Sequence, residues 1–213
     1  MGEDRQMRKL IIAVVLVLFS FSGANARLLK AYGFKAGVVV ANQDFDYFGR
    51  LQFDTKARSG LSFGVFAEWL SLRSLSILTE AHYIQKGYVS ESVQTDEFGT
   101  PIRIFKFDHR VDYLSIPLLA KVTLRTKHLS PYLIVGPRFD FLLGYKSETL
   151  DEVYRDLKDL DVGGTIGLGV ESRSQPVKVL LEFRYSPNFT NAYQTDLLKV
   201  KNNSFEILFG VRR

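Results

Sequence analysis

The chain has 213 residues, a size that fits one domain. It is 46% hydrophobic and 24% charged, with a net charge of +5 spread along its length, so no basic block points to nucleic acid. It contains no cysteine, which excludes disulfides, a thiolate nucleophile, Cys-ligated zinc and an N-terminal lipid-modified cysteine.

The N-terminus reads as a targeting segment. Arg8 and Lys9 precede ten consecutive apolar residues, Leu10 to Phe19, and Ala24-Asn25-Ala26 follows with small residues at the −3 and −1 positions. Cleavage is expected after Ala26, with Met7 an alternative start, leaving a domain over 27–213. The apolar run is shorter than the ~20 residues of a spanning helix.

From Arg27 onward the chain alternates with period two in eight runs. The first places Tyr32, Phe34, Ala36, Val38 and Val40 on one face and Gly33, Lys35 and Gly37 on the other. The second sets Leu61, Phe63, Val65, Ala67 and Trp69 against Ser62, Gly64, Phe66 and Glu68. In the third, Leu75, Ile77, Thr79, Ala81 and Tyr83 oppose Ser76, Leu78, Glu80 and His82. The fourth runs from Tyr113 to Leu124 with Lys121 on its polar face, and Ile102 to Phe107 is expected to prolong it beyond a membrane.

The fifth has Leu133, Val135, Phe139, Phe141 and Leu143 opposite Tyr132, Gly136, Arg138, Asp140 and Gly144. The sixth has Val162, Ile166, Leu168 and Val170 against Asp161, four residues of a glycine-rich stretch and Glu171. In the seventh, Val179, Leu181, Phe183 and Tyr185 oppose Lys178, Leu180, Glu182 and Arg184. The last sets Phe205, Ile207, Phe209 and Val211 against Glu206, Leu208, Gly210 and Arg212. One apolar face and one face of glycines and charges is the pattern of strands between lipid and a polar lumen.

The links alternate in length. Long ones fall at about Asn42 to Gly60, Val89 to Pro101, Lys146 to Leu160 and Pro187 to Asn203; short ones lie near Ser71 to Ser74, Arg125 to Ser130 and Ser172 to Pro176. An up-and-down barrel produces this alternation, with turns on the periplasmic side and loops outside. The expected fold is therefore an all-β, eight-stranded antiparallel up-and-down transmembrane β-barrel of outer-membrane type. An even strand number puts both termini in the periplasm, and lipid forbids the unpaired edges of an open sheet. Aromatics near the strand ends, among them Trp69, Tyr83 and Tyr185, suit headgroup level.

Several phrases carry a resemblance. Gly33-Phe34-Lys35-Ala36-Gly37, Tyr113-Leu114-Ser115-Ile116-Pro117-Leu118-Leu119, Pro131 to Pro137, Asp161 to Glu171 and Leu181-Glu182-Phe183-Arg184-Tyr185 resemble the PorT-like outer-membrane β-barrel family. The resemblance implies an eight-stranded barrel in a family whose named member assists protein export by the type IX route. The C-terminus departs from the usual insertion signal, because Phe209 is followed by Gly210-Val211-Arg212-Arg213.

Motifs of chemistry are scarce. Gly60-Leu61-Ser62-Phe63-Gly64 matches a nucleophile elbow, yet that chemistry needs a strand-to-helix turn and this segment continues as a strand. The cluster Gly163 to Gly169 lacks the following helix of a dinucleotide loop; its glycines instead make room for large lumenal side chains. Of His82, His109 and His128, only His82 is expected to face the lumen, two residues from Glu80, and no metal-ligand spacing joins the three. No catalytic, cofactor-binding or metal residue is assigned, and no cofactor is expected.

The polar face carries Lys35, Glu68, Glu80, Lys121, Arg138, Asp140, Glu171, Glu182, Arg184, Glu206 and Arg212. Mixed signs predict a salt-bridged plug, because eight strands leave no aqueous channel. Loop 148–161 spaces Leu150, Val153, Leu157 and Leu160 at helical intervals that also suit a hairpin, with six acids and two bases. Aromatics in the outward loops, chiefly Tyr47, Phe48, Tyr154 and Tyr193, are candidate contact residues. The expected role is a non-enzymatic partner-binding or scaffolding component, assisting export if the resemblance extends to function. The alternative is a barrel-embedded enzyme acting on lipid or peptide. Expected partners are outer-membrane lipid, the barrel-insertion machinery and secretion-system or cell-surface proteins, with no nucleic acid.

Overall fold

A computed structural model describes residues 29–47, 55–72, 74–95, 98, 101–124, 126, 129–146, 157–173, 176–190 and 198–213. Runs that alternate apolar and polar side chains cannot bury both faces in water. They form strands that close on themselves, leaving no edge. The described residues hold eight: β1 (Leu29–Tyr47), β2 (Thr55–Leu72), β3 (Leu75–Thr95), β4 (Pro101–Thr123), β5 (Leu129–Lys146), β6 (Leu160–Ser172), β7 (Lys178–Pro187) and β8 (Leu198–Arg212). Each pairs antiparallel with its sequence neighbours, and β8 returns to β1 to close the barrel.

Its surface is inverted relative to a soluble protein. Leu133, Leu168, Phe205 and Phe209 are each more than half exposed, whereas Lys35, Glu80, Glu182 and Arg138 are buried. Isolated exposed leucines are unremarkable, but a continuous band of them around buried charges is stable only against hydrocarbon. Facing rings mark one border of the band: Phe63 lies 5.1 Å from Tyr83, and Tyr185 lies 4.8 Å from Phe205.

The strands outlast the membrane. A crossing needs about 9–11 residues, yet β3 has 21 and β4 has 23. Beyond the apolar band their ladder continues from Lys86↔Val111 to Thr95↔Pro101. Two expected long loops are thus mostly strand: β1 reaches Tyr47 and β2 begins at Thr55, while β3 runs through the segment assigned to a loop from Val89. Period two weakens there because no lipid face enforces it. Gly87, at φ 132°, sits in this extension; a Cβ there would strike the His109 carbonyl.

The wall has one thin place. The β6–β7 ladder covers only Ile166↔Tyr185 to Glu171↔Leu180, followed by an isolated bridge between Gly163 and Asn188. Pro187 has no N–H to give at this point, and the Thr165 and Ser186 hydroxyls meet at 3.0 Å across the gap. An outer groove of about 390 Å³ lies over it, lined by Val135, Pro137, Ile166, Pro187 and Phe189 among others.

The register corrects one expectation in β5. Asp112 pairs with Gly144, but Tyr113 pairs with Leu142, so the alternation slips by one residue. Leu142 thereby packs on the inner apolar cluster, and Gly144 falls opposite an outward residue rather than in the lumen. An irregularity of this kind reverses sidedness beyond it.

Candidate functional site

The barrel interior is built in layers, and each follows from period two acting on neighbouring strands. Nearest the termini, Lys121 of β4 reaches Glu171 of β6 at 3.0 Å and Glu68 of β2 at 3.3 Å. Arg212 of β8 completes the square, bonded to Glu68 and 3.3 Å from Glu171. Above it lies an apolar layer of Phe66, Leu78, Leu119, Tyr132, Ile134 and Leu180.

The middle layer is the most densely charged. Lys35 donates to Glu80 at 2.7 Å and to Glu182 at 3.1 Å. Arg184 donates to Glu80 at 2.9 Å and also bonds Glu182, while the Tyr132 hydroxyl donates to Glu182 at 2.8 Å. Glu206 accepts from the Ser62 hydroxyl at 3.1 Å and faces Arg184 across β7–β8. His82 Nε2 lies 3.1 Å from Glu80 Oε2, off the line of a good hydrogen bond. Three carboxylates, of Glu80, Glu182 and Glu206, thus meet two fixed cations, Lys35 and Arg184.

A third polar layer joins Lys86 to Asp140 at 2.6 Å and Arg138 to Asp140 at 3.1 Å. Arg138 also bonds Asn188, whose amide donates to Asp161 at 2.8 Å; Asn202 donates to Asp161 at 3.1 Å. The far mouth is closed by Val39, Ala41, Ile84, Val111, Tyr113 and Leu157. Leu157 enters from the β5–β6 link, which is pinned where the Leu142 amide donates to the Asp159 carbonyl at 2.8 Å. Among the described residues, stacked apolar and ion-paired layers of buried side chains occupy the eight-stranded lumen.

The buried lysines share a device. Lys35 sits 4.8 Å above the Phe66 ring, Lys121 4.4 Å above Tyr132 and Lys86 5.4 Å above Tyr113. A ring face returns part of the solvation an ammonium loses on burial. Glycines supply the space: a Cβ on Gly33 would come within 2.7 Å of the Phe66 ring, and one on Gly167 within 3.1 Å of Ile134.

All eleven charged residues assigned to the polar face lie inside. Reasoning from the sequence missed three partners. Lys86 continues the phase of Ser76, Leu78, Glu80, His82 and Ile84, and following the alternation past Tyr83 would have found it. Asn188 and Asn202 lie near the ends of their strands, where the pattern fades. His109 is also a correction: assigned to a loop end, it is instead buried within β4, its ring 4.7 Å from that of Tyr88. His82 is therefore not alone in facing inward.

Phe48, Tyr154, Tyr193, His128 and loop residues 148–156 lie outside the described residues, and Tyr47 enters only as the last residue of β1. Ser62 lies mid-strand with its hydroxyl on Glu206, away from any histidine bond. Among the described residues, no three His, Asp or Glu side chains are placed to hold a metal ion.

A family model described as outer membrane protein β-barrel domain matches residues 23–194. No curated protein matches the chain. Solved structures similar to it include neisserial surface protein A, at 16% identity over 86% of this chain and 97% of that one, with a TM-score of 0.48. OprG of Pseudomonas aeruginosa aligns at 11% identity over 88% and 97%, with a TM-score of 0.49. Ail, the attachment invasion locus protein of Yersinia pestis, aligns at 11% identity over 86% and 98%, with a TM-score of 0.39.

Proposed function

Because the chain belongs to the outer membrane protein β-barrel domain family, we propose that it is a non-enzymatic scaffold of the outer membrane, acting through what it presents outside the bilayer. The observation that carries this reading is the filled interior. His82 and Glu80, the acid–base pair singled out from the sequence, are buried between an apolar layer and a polar layer of the lumen. Chemistry on a substrate needs a base within reach of it. What lies beyond the apolar band is the strand extension of β3 and β4, and segments held outside a rigid scaffold are where binding resides.

Both termini and the short links face the periplasm, as eight strands and the alternation of link lengths suggest. Residues 1–26 are a signal removed on export. The partners are secretion-system or cell-surface proteins, and the PorT-like resemblance favours assistance to protein export. Crosslinking in intact cells, followed by identification of the captured proteins, tests this. Capture through residues of the long links supports the scaffold, whereas hydrolysis of lipid or peptide by the refolded barrel, abolished in a folded Glu80→Gln/His82→Gln variant, contradicts it.

A further inference from the structure

The mouth at the terminal end is built differently from the one opposite. It holds a cavity of about 180 Å³ lined by Lys30, Arg173, Lys178 and Arg212, by Glu68 and Glu171, and by hydroxyls of Ser74, Ser76, Thr123 and Ser130. Both carboxylates are already committed, since Lys121 and Arg212 each bridge them. Two cations therefore cancel two anions, and Lys30, Arg173 and Lys178 remain as excess positive charge. Lys30 and Lys178 have no ion-pair partner among the described residues. Arg173 spends one N–H on the Thr126 carbonyl at 2.6 Å and keeps the rest of its fork.

A second observation points the same way. The three links at this end, residues 73–74, 124–128 and 173–177, carry Arg73, Arg125, Lys127 and Arg173 and no aspartate or glutamate. The links at the other end, residues 48–54, 96–100, 147–159 and 188–197, carry Asp54, Asp96, Glu97, Asp196 and five acids between Glu148 and Asp159 against three bases. The links thus differ in sign between the two ends, basic beside this mouth and acidic beside the other.

We propose that this mouth is a binding site for a phosphate-class oxyanion, supplied either as free phosphate or as the headgroup of an anionic phospholipid. Lysines provide point charges, Arg173 a planar fork, and the hydroxyls rotatable O–H donors for a tetrahedral anion. The volume suits one such group with a little solvent, given ~30 Å³ per water. The site goes beyond the scaffold reading and does not depend on it.

The test uses the protein refolded in a non-ionic detergent and titrated calorimetrically with inorganic phosphate, at constant ionic strength against chloride. Saturable phosphate binding is expected, weakened at least tenfold in Lys30→Gln/Lys178→Gln. Arg103→Gln at the far end serves as the control and leaves binding unchanged. Both double-variant positions are at least partly open to solvent, so folding should survive, and mobility on an unheated gel checks it. Repeating the titration in phosphatidylglycerol nanodiscs separates the sources: loss of phosphate binding there assigns the site to the lipid headgroup, and unchanged binding assigns it to free phosphate. Equal responses to phosphate and chloride, or full binding by the folded double variant, would overturn the site.

Discussion

Replacing Lys35 by alanine would leave Glu80 and Glu182 facing each other with one cation fewer in a dry interior. Breaking a buried pair from one side costs about 3–5 kcal/mol, and the loss should appear as a lower midpoint of denaturant unfolding in lipid. Glu206→Gln should cost far less, about 1 kcal/mol or below. It keeps an acceptor for Ser62 and removes the carboxylate that exceeds the fixed cations of its layer. On the opposite face, Leu168→Arg sets a charge against lipid and should destabilise by about 2–4 kcal/mol. The inner residues were legible one by one wherever both neighbouring strands alternate cleanly, as Glu68, Lys121 and Glu171 do. Which acid meets which base was not legible, because pairing depends on strand register and lumenal reach, and neither is written in a single strand.

Elements tell a similar story. Within the apolar band, lipid on one side and a packed lumen on the other impose strict alternation, so the eight strands could be read directly. Above the band both faces meet water or protein, and β1, β2 and β3 continue where the sequence suggested loops, while β4 carries the prolongation expected over Ile102 to Phe107. The β5–β6 link is acidic and reads as exposed, yet its Leu157 closes the barrel mouth. One leucine in a helical spacing gives no sign that it will turn inward. Leu157→Ala should therefore lower stability by about 2 kcal/mol or more, as a core truncation does, whereas a purely exposed link would not respond. At the thin place in the wall, amides of Gly163 to Thr165 should exchange faster than those of Ala36 to Val40, where β1 is paired on both sides. Equal protection there would mean that the ladder is complete.

At the scale of the whole molecule, closure, the inverted surface and the layered lumen describe a barrel that is a post rather than a pore. Every strand has two partners, and the charges that would line a channel instead neutralise one another across it. Such a barrel should resist detergent until heated, so boiled and unboiled samples from native membranes should migrate differently on a denaturing gel. Sequencing the N-terminus of the same membrane material should begin at Arg27 if residues 1–26 are removed on export. The central claim, that the interior is filled, is reached most directly by reconstituting the folded, heat-modifiable protein in a planar bilayer and measuring conductance. The layered lumen predicts no steady ohmic current above that of the bare bilayer. A stable conductance scaling with the amount of folded protein would contradict it.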